Sequence, residues 1–249
     1  MVNRLRAAGC VFAEDEARLL ASSAGSPGEL ESMVERRVAG LPLEHVLGWV
    51  EFAGLRISVD PGVFVPRRRT ELLVREAAAL AAPGAVVVDL CCGCGALGVA
   101  VASLVPGVEV VAADVDPAAV RCAKRNVPGT VYEGDLFDAL PVSLRGRVDV
   151  LLANVPYVPT EWIATMPPEA RDHEPRIALD GGADGLDVFR GVAAAAPEWL
   201  APGGHVLMEV GEEQVPVAVA VLAAAGLSAR VARSAELAAT AVTAQLPSG

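Results

Sequence analysis

The sequence is poor in lysine, in aromatic residues and in long apolar runs. Lys124 is the single lysine among 20 cations, and 31 acidic residues bring the formal net charge to -11. Tight binding to a nucleic-acid backbone needs a basic footprint that displaces counterions, so this balance argues against a nucleic-acid partner. Apolar residues make up 53% of the chain, yet no apolar stretch approaches the roughly 18 residues of a membrane span. The N-terminus lacks the apolar segment of a secretory signal, so we expect a cytoplasmic protein with no membrane partner.

Cysteine is also scarce, and its five copies do not match the framework of a small disulfide-rich protein. Three of them, Cys91, Cys92 and Cys94, are clustered. A zinc site would need a fourth ligand, and the sequence offers no second pair at the required spacing. We therefore predict no metal and interpret the three residues as small side chains that fill a tight turn.

The first part of the chain is predicted to be helical and to end in a β-hairpin. Apolar residues recur at helical spacing over Glu14–Ser22 and Glu29–Ala39. From Trp49 to Val65 the pattern changes to alternation interrupted by turn residues, which predicts a hairpin. The predicted domains are a helical N-terminal substrate-recognition domain (1–48), a β-hairpin connector (49–71) and an α/β domain (72–249).

From Leu72 onward, predicted strands alternate with predicted helices. Such alternation predicts a mostly parallel sheet with helices on both faces, which is an α/β fold. The predicted helices are Leu72–Ala82, Ala96–Leu104 and Pro117–Arg125. The predicted strands are Val86–Leu90, Val108–Ala113, Thr130–Glu133, Val148–Ala153, His205–Val210, Leu227–Ala232 and Ala239–Leu246.

The segment Asp89–Gly95 lies between a predicted strand and a predicted helix. Glycines in such a turn let a ligand approach the backbone, and the helix N-terminus adds free N–H donors. The next predicted strand is followed by Asp114, where a carboxylate can accept both hydroxyl groups of a ribose. Together these features favour nucleoside binding over a purely structural turn, although the spacing differs from the dinucleotide pattern G-x-G-x-x-G.

A second motif, Asn154-Val155-Pro156-Tyr157, follows another predicted strand. Ligands of open α/β sheets bind beyond the carboxyl ends of the strands, so this motif should face the same crevice as the glycine turn. A carboxamide oxygen and a backbone carbonyl can accept the two hydrogens of a planar nitrogen and hold it for alkylation. The alternative is a turn that merely ends the strand, which is common for Asn-x-Pro.

These motifs resemble the signature of class I S-adenosylmethionine-dependent methyltransferases with an Asn-Pro-Pro-Tyr motif. From about residue 30 to about residue 215 the chain is similar, in colinear order, to HemK/PrmC-type protein-(glutamine-N5) methyltransferases. The resemblance implies a Rossmann-like methyltransferase domain behind a small helical domain and a hairpin connector. The further matching residues are Arg36–Pro42, Gly48, Glu51, Phe52, Gly54, Leu55, Val65–Arg67, Thr70, Glu71, Glu174, Pro175, Ala178, Leu179, Gly182, Gly185, Leu186, Gly203, Gly204, Glu209 and Gly211.

The resemblance implies S-adenosylmethionine as the cofactor and assigns residues to it. The implied cofactor residues are Asp89, Cys91, Gly93 and Gly95 in the turn around the methionine part, Asp114 at the ribose, Asp135 and Leu136 beside the adenine, and Phe64, Pro66, Arg67 and Asn154 lining the site. It also implies a catalytic set of Asn154, Val155, Pro156 and Tyr157. Asn154 and the Val155 carbonyl would accept hydrogen bonds from the acceptor nitrogen while Tyr157 packs against it, and the methyl group would pass in line from sulfur to nitrogen.

The sequence departs from the family pattern at four places. Cys91, Cys92 and Cys94 replace the small Gly, Thr or Ser residues of the usual turn, and the C-terminus lacks the family's acidic and Arg-containing stretch near the last strand. The other two departures lie in the Asn154–Tyr157 motif and in the connector. Val155 replaces the first proline of the motif, which keeps the backbone carbonyl and an extended bias before Pro156. Arg68 and Arg69 replace a proline and an acid in the connector. We interpret the Arg67–Arg69 run as a solvated basic region, with contact to an acidic partner or a cofactor carboxylate as the alternative.

Three functional hypotheses follow from these observations. The leading one is methylation of a glutamine side chain in a peptide-chain release factor. The second, motivated by the altered connector, is a diverged relative that methylates a small molecule or another planar nitrogen. The third, motivated by Val155, is a cofactor-binding module without turnover.

Overall fold

The chain begins with four short helices and continues as an α/β unit. The computed structural model describes residues 1–248, and Gly249, the last residue of the predicted α/β domain, lies outside the described residues. Within residues 1–248 the α-helices are α1 (Val2–Ala7), α2 (Ala13–Ser23), α3 (Pro27–Val38), α4 (Leu43–Leu47), α5 (Glu71–Leu80), α6 (Ala96–Leu104), α7 (Pro117–Asn126), α8 (Pro168–His173), α9 (Asp187–Trp199) and α10 (Val215–Ala224).

Two sheets are present in the described part of the chain. The strands are β1 (Trp49–Phe52), β2 (Leu55–Ser58), β3 (Val86–Leu90), β4 (Glu109–Asp114), β5 (Thr130–Glu133), β6 (Val148–Ala153), β7 (Leu200–Glu209), β8 (Ser228–Ser234) and β9 (Ala239–Gln245). β1 and β2 form an antiparallel hairpin. The other seven form one sheet in the order β5-β4-β3-β6-β7-β9-β8. Its pairs from β5 to β7 are parallel, and β9 is antiparallel to β7 and to β8. The predicted Rossmann-like α/β fold is therefore confirmed.

The two faces of the large sheet are covered by different helices. Along β3, Val86, Val88 and Leu90 join one apolar layer and Val87 joins the other, as the two-residue period of a strand requires. Residues of α9 and α10 complete the first layer, and residues of α5, α6 and the hairpin complete the second. Parallel strands buried on both faces are almost continuously apolar, which accounts for much of the apolar composition.

The predicted elements of the α/β unit agree closely with the structure. β3, β5, β6 and α6 begin and end at the predicted residues. The prediction was less accurate where glycine and proline interrupt a pattern. β7 begins at Leu200 rather than at His205, because a register shift opposite Val148–Val150 lets the strand continue through Gly203 and Gly204. β2 ends at Ser58, and the alternating residues up to Val65 form an irregular segment.

A separate apolar cluster holds the first four helices together, and its members include Leu5, Leu20 and Val34. Two of these helices, α1 and α4, were not predicted individually. Each has only five or six residues, too short for a hydrophobic period to be recognised.

None of the helices within residues 1–248 combines the length and the apolar character needed to cross a membrane.

Arg37 of α3 connects this helical region to the α/β unit. Its side chain is 6% exposed, and its Nε lies 2.6 Å from Glu16 Oε2 in α2. Its Nη1 donates to the Leu41 carbonyl at 3.0 Å and to Glu169 Oε1 in α8 at 2.6 Å. A buried guanidinium with carboxylates on two sides therefore fixes α8 against the helical region.

Asp89 connects β3 to α6 below the glycine turn. The carboxylate is 1% exposed, and its Oδ2 accepts a 2.9 Å hydrogen bond from the Gly98 N–H in the first turns of α6. Its Oδ1 is buried and has no partner within residues 1–248. Burial raises the pKa of Asp89 to about 7, opposed by the Gly98 N–H and reinforced by the charge of Asp114.

Substitution Arg37→Ala should destabilise the protein by about 3–5 kcal/mol, because it leaves the buried Glu16 carboxylate without its cation. The change is measured as the free energy of unfolding in urea. Arg18→Ala is the control, since its ion pair with Asp15 lies on the surface and should contribute less than about 1 kcal/mol. Equal losses for the two variants would contradict the role assigned to Arg37.

Substitution Asp89→Asn should change how stability depends on pH. A carboxyl whose folded-state pKa lies above its unfolded value stabilises the fold when protonated and loses that contribution as pH rises. In the protein without ligands, stability relative to Asp89→Asn should therefore fall between about pH 4 and pH 7, by up to about 1.4 kcal/mol per pH unit. Urea unfolding across this range measures it, with Asp138→Asn as an exposed control. A constant difference between wild type and Asp89→Asn would disprove the protonation of Asp89.

Candidate active site

Two adjoining pockets open at the carboxyl ends of β3, β4 and β6. The deep cavity has a volume of about 700 Å³ and is lined by Phe64, Pro66, Cys91, Cys92, Gly93, Cys94, Ala96, Leu97, Asp114, Val115, Asp116, Ala119, Asn154, Pro156, Pro175, Ile177 and Ala178. The side pocket has a volume of about 360 Å³ and is lined by Phe64, Arg67, Arg69, Asn154, Val155, Pro156, Tyr157, Val158, Met166, Ala178 and Leu179. Phe64, Asn154, Pro156 and Ala178 line both, so the two pockets share a wall.

The turn between β3 and α6 needs glycine for steric reasons. Gly95 has a φ of +80°, and a Cβ at this position would lie 2.4 Å from Val127 Cγ2. Gly93 has a φ of +55°, and an added Cβ would point toward the Phe64 carbonyl without touching it closely. Cys91 adopts a similar left-handed conformation, with a φ of +53°, which few non-glycine residues tolerate. This tight turn places backbone at the floor of the deep cavity.

The three clustered cysteines fill space around this turn. Cys92 and Cys94 are buried among apolar residues, and Cys91 faces the deep cavity. Burial raises the pKa of all three thiols above the ordinary range, with the charges of nearby carboxylates adding to the shift at Cys91 and Cys92. The side chains are therefore neutral thiols near pH 7 and behave as small apolar groups.

Asp114 ends β4 at the rim of the deep cavity. Its Oδ2 accepts from the Gly93 N–H at 2.8 Å, and its Oδ1 accepts from the Asp116 N–H at 2.9 Å. Burial raises the pKa of Asp114, although these two N–H groups act in the opposite direction. Each carboxylate oxygen keeps a second lone pair, so the residue can still accept hydroxyl groups from a ligand.

Asn154 follows the last residue of β6 and separates the two pockets. Its Oδ1 is buried and has no hydrogen-bond partner within residues 1–248. The Val155 side chain is buried in the apolar layer beside α9, whereas its carbonyl accepts no hydrogen bond from the described part of the chain. Buried acceptors without a partner are uncommon in folded proteins. Two such acceptors beside a pocket indicate a site that receives N–H donors from a ligand.

Tyr157 forms a wall of the side pocket and is fixed by a buried carboxylate. Its hydroxyl donates to Glu209 Oε1 at 2.7 Å, and Glu209, the last residue of β7, is 3% exposed. The same oxygen lies 3.0 Å from Arg69 Nε, and the Arg69 guanidinium carbon lies 5.6 Å from the centre of the Tyr157 ring. Burial and the charge of Glu209 raise the pKa of the Tyr157 hydroxyl, so it remains a hydrogen-bond donor at neutral pH.

The connector closes the site from the other side. Arg67 Nη2 lies 2.7 Å and 2.6 Å from the two carboxylate oxygens of Glu174. Glu174 also accepts from the Val65 N–H at 3.1 Å, and burial raises its pKa despite the neighbouring Arg67. The Arg67 guanidinium carbon lies 5.0 Å from the centre of the Phe64 ring. Arg67 is thus paired with an acid of this chain, and Arg68 and Arg69 also lie near acids, so the run is not simply solvated.

The structure brings together most of the residues singled out in the sequence. All four members of the Asn154–Tyr157 motif line the side pocket, and Cys91, Gly93, Asp114, Asn154, Phe64 and Pro66 line the deep cavity. Arg67 lines the side pocket and not the deep cavity. Asp89 and Gly95 support the turn from behind. Asp135 and Leu136 follow β5 at the same edge of the sheet but are not among the residues that line the deep cavity.

Other residues of the site had no role assigned from the sequence. Val115 and Asp116 could have been found, because they continue directly from Asp114 beyond the end of β4. Glu209 and Glu174 matched the family pattern, but pairing each with an arginine of the connector requires contacts across more than 100 residues. Gln214 donates to the Tyr157 carbonyl at 3.0 Å and has no recognisable sequence signal.

The residues around the deep cavity fit S-adenosylmethionine. The buried Oδ1 atom of Asn154 lacks a partner, and the carboxylates of Asp114 and Asp116 suit a ligand that carries hydroxyl groups and a positive charge. Apolar side chains such as Leu97 and Ile177 supply flat walls for a base.

Comparison with known proteins finds methyltransferases among the proteins similar to this chain. Residues 54–165 match the family model of the methyltransferase small domain. A release factor glutamine methyltransferase from Geobacter sulfurreducens is 39% identical over 209 residues, which cover 81% of this chain and 72% of that protein. A 4-amino-L-phenylalanine/4-methylamino-L-phenylalanine methyltransferase from Streptomyces pristinaespiralis is 37% identical over 240 residues, which cover 86% of this chain and 81% of that protein.

Among solved structures, a methyltransferase from Pyrococcus furiosus is similar with a TM-score of 0.59 at 17% identity, covering 78% of this chain and 90% of that chain. This likeness shows the fold. The identities and coverages of the sequence relatives show the family as well as the fold, and they agree with the resemblance of the motifs. S-adenosylmethionine is the cofactor, and the protein is an enzyme. The chain belongs to the class I S-adenosylmethionine-dependent methyltransferases, in the family of the release factor glutamine methyltransferases.

Proposed function

We propose that this enzyme methylates the side-chain amide nitrogen of a glutamine in a peptide-chain release factor. The observation that carries the proposal is a pair of acceptors without a partner in residues 1–248: Asn154 Oδ1, on the wall between the two pockets, and the carbonyl of Val155, which lines the side pocket. A primary amide presents two N–H donors on one planar nitrogen, which matches two acceptors. The name of the Geobacter sulfurreducens relative states this reaction.

The residues of the side pocket act by holding and polarising the acceptor. S-adenosylmethionine, when bound, supplies a methyl group on a positively charged sulfur. The lone pair of an amide nitrogen is delocalised and weakly nucleophilic. Asn154 Oδ1 and the Val155 carbonyl would accept hydrogen bonds from the N–H groups of the amide and would stabilise the positive charge that grows on its nitrogen as the new bond forms. Tyr157, held by Glu209, would restrict the amide plane to one orientation.

We also infer the roles of the remaining residues from their positions. Asp114 would bind the ribose, and Phe64 and Pro66 would close the deep cavity from the connector. Asp89, Cys91, Gly93 and Gly95 would shape the turn under the cofactor, while Arg67 would hold Glu174 beside the side pocket. Asp135 and Leu136, at the end of β5, would lie next to the base.

We infer that residues 1–48 recognise the acceptor and that the chain from residue 72 binds the cofactor. Residues 49–71 would connect these two parts. An outer cleft beyond the side pocket supports this division. It is lined by Pro42 and Glu44 of the helical region and by Arg67, Arg69, Met166, Pro167, Glu169, Ala170 and Glu174 of the rest. An acceptor that reaches Asn154 from this side would touch both parts.

A small-molecule acceptor is the second candidate, and a specific observation favours it. Arg69 lines the side pocket directly, where the family pattern has an acid. The Streptomyces pristinaespiralis relative acts, by its name, on the aromatic amine of an amino acid, and the chain covers 81% of its length. An aromatic amine is also a planar nitrogen with two N–H donors, so the same pair of acceptors can hold it.

One assay separates these possibilities. Purified enzyme is incubated with methyl-labelled S-adenosylmethionine and either a release factor or 4-amino-L-phenylalanine, and the products are identified by mass spectrometry. A methylated glutamine supports the release factor, and transfer only to the amino acid supports the second candidate. Cofactor binding without transfer to either would instead indicate the non-catalytic module.

Substitution Asn154→Ala should lower the rate of methyl transfer by about 100- to 1,000-fold, the usual effect of removing one preorganised polar contact to a developing charge. Affinity for S-adenosylmethionine should stay within about threefold, because the turn and Asp114 remain. Rates come from label transfer, and affinity comes from calorimetry. Asn3→Ala, at an exposed position of α1, is the control. Activity retained by Asn154→Ala would show that this residue does not hold the acceptor.

A further inference from the structure

Arg69 lines the side pocket and has donors that no residue within 1–248 uses. Its Nε lies 3.0 Å from Glu209 Oε1 in an ion pair. Its two Nη groups donate no hydrogen bond to any residue within 1–248. The side chain is 48% exposed, and its position against the Tyr157 ring restricts the guanidinium plane. One edge of the guanidinium is therefore anchored and the other edge is free.

The free edge of Arg69 lies where an acceptor must pass. Arg69 is one of the residues that line both the side pocket, together with Asn154, and the outer cleft. Arg67 also lines both, but its Nη2 contacts both oxygens of Glu174, whereas the closest contact of Arg69 with Glu209 is made by Nε and leaves the Nη groups without a partner. Arg68 lines neither and lies 3.6 Å from Glu236 on the surface. Arg67 Nε and Nη1 also donate no hydrogen bond within residues 1–248, but the Arg67 side chain is 34% exposed and that of Arg69 is 48% exposed. Arg69 is therefore the more accessible donor of the two arginines that line both pockets.

A guanidinium with a free edge binds a carboxylate with particular strength, because two parallel N–H donors match its two oxygens. The anchoring to Glu209 and Tyr157 means that little side-chain freedom is lost on binding. The chain as a whole carries a charge of -11, and Glu44 and Glu169 line the outer cleft. Glu44 and Glu169 would repel an acidic acceptor in the outer cleft, and Arg69 would attract it in the side pocket.

We propose that the acceptor of this enzyme carries a carboxylate, which binds the free Nη groups of Arg69 while the reactive planar nitrogen lies at Asn154. This inference rests on the proposed transfer of a methyl group to a nitrogen at Asn154. The carboxylate can come from a free amino acid or from an acidic side chain near the methylated glutamine of a protein. Arg69 is then the residue that determines acceptor specificity.

The test uses pairs of acceptors that differ only in a carboxylate. The first pair is 4-amino-L-phenylalanine and 4-(2-aminoethyl)aniline, which lacks the carboxylate. The second pair is two peptides with one glutamine in a Gly-Gly-Gln sequence, followed by Glu in one and by Leu in the other. KM and kcat are measured for the wild type, Arg69→Gln and Arg68→Gln. Calorimetry in the presence of S-adenosylhomocysteine gives the affinity without turnover.

The wild type should prefer the carboxylate-bearing member of at least one pair by about 10- to 100-fold in KM or affinity, the usual effect of a charge-assisted hydrogen bond. Arg69→Gln should reduce this preference to within about threefold, whatever its effect on kcat, and Arg68→Gln should preserve it. Preference in the first pair identifies an amino acid, and preference in the second identifies a protein segment.

Absence of a preference in both pairs, or a preference that survives in Arg69→Gln, would overturn the inference. Equal losses for both members of a pair in Arg69→Gln would also overturn it, because they would show that Arg69 acts only by positioning Tyr157. A preference in the calorimetric measurement without any methyl transfer would leave the carboxylate site standing and would instead contradict the proposed function.

Discussion

The site depends on how three buried carboxylates are compensated. Asp89, Glu174 and Glu209 are 1%, 6% and 3% exposed, and a buried charge costs several kcal/mol unless it has partners. Asp89 accepts a hydrogen bond from one N–H group, that of Gly98. Burial raises its pKa to about 7, so the carboxyl is partly protonated near neutral pH. Glu174 and Glu209 take their cations, Arg67 and Arg69, from the connector. The Arg69–Glu209 pair binds the connector to the edge of the sheet, and the Arg67–Glu174 pair binds it to the segment that follows α8.

The same constraint extends to the helical region. Glu174 comes directly after α8, and α8 carries Glu169, which binds the buried Arg37 of α3. The segment from Glu169 to Glu174 is therefore fixed to the first helices at one end and to the connector at the other. Because the outer cleft is lined by this segment, the Arg37–Glu169 and Arg67–Glu174 ion pairs hold one wall of the cleft against the helical region and the connector.

The sequence was sufficient for the sheet and for the two motifs at its edge, since buried parallel strands and glycine turns leave local patterns. Val86–Leu90 and Val148–Ala153 were predicted with their observed ends, and chain order at the carboxyl edge placed Asn154 near Asp114. Pairings of distant charges leave no such pattern. Arg69 and Glu209 are far apart in the chain and meet only because β7 ends beside the connector. The basic run was therefore interpreted as solvated, although each of its arginines lies beside an acid.

Two of the departures from the family motifs, Val155 and Arg69, lie in different surroundings. The Val155 side chain is buried in the apolar layer beside α9, and its backbone carbonyl accepts no hydrogen bond within residues 1–248. Replacing one apolar side chain by another there leaves this backbone carbonyl in place. Arg69 instead changes the charge on the wall of the side pocket and is not among the residues that line the deep cavity. On the roles proposed here, methyl transfer would depend on backbone geometry at Val155 and acceptor choice on a side chain of the connector, so the two properties could diverge separately.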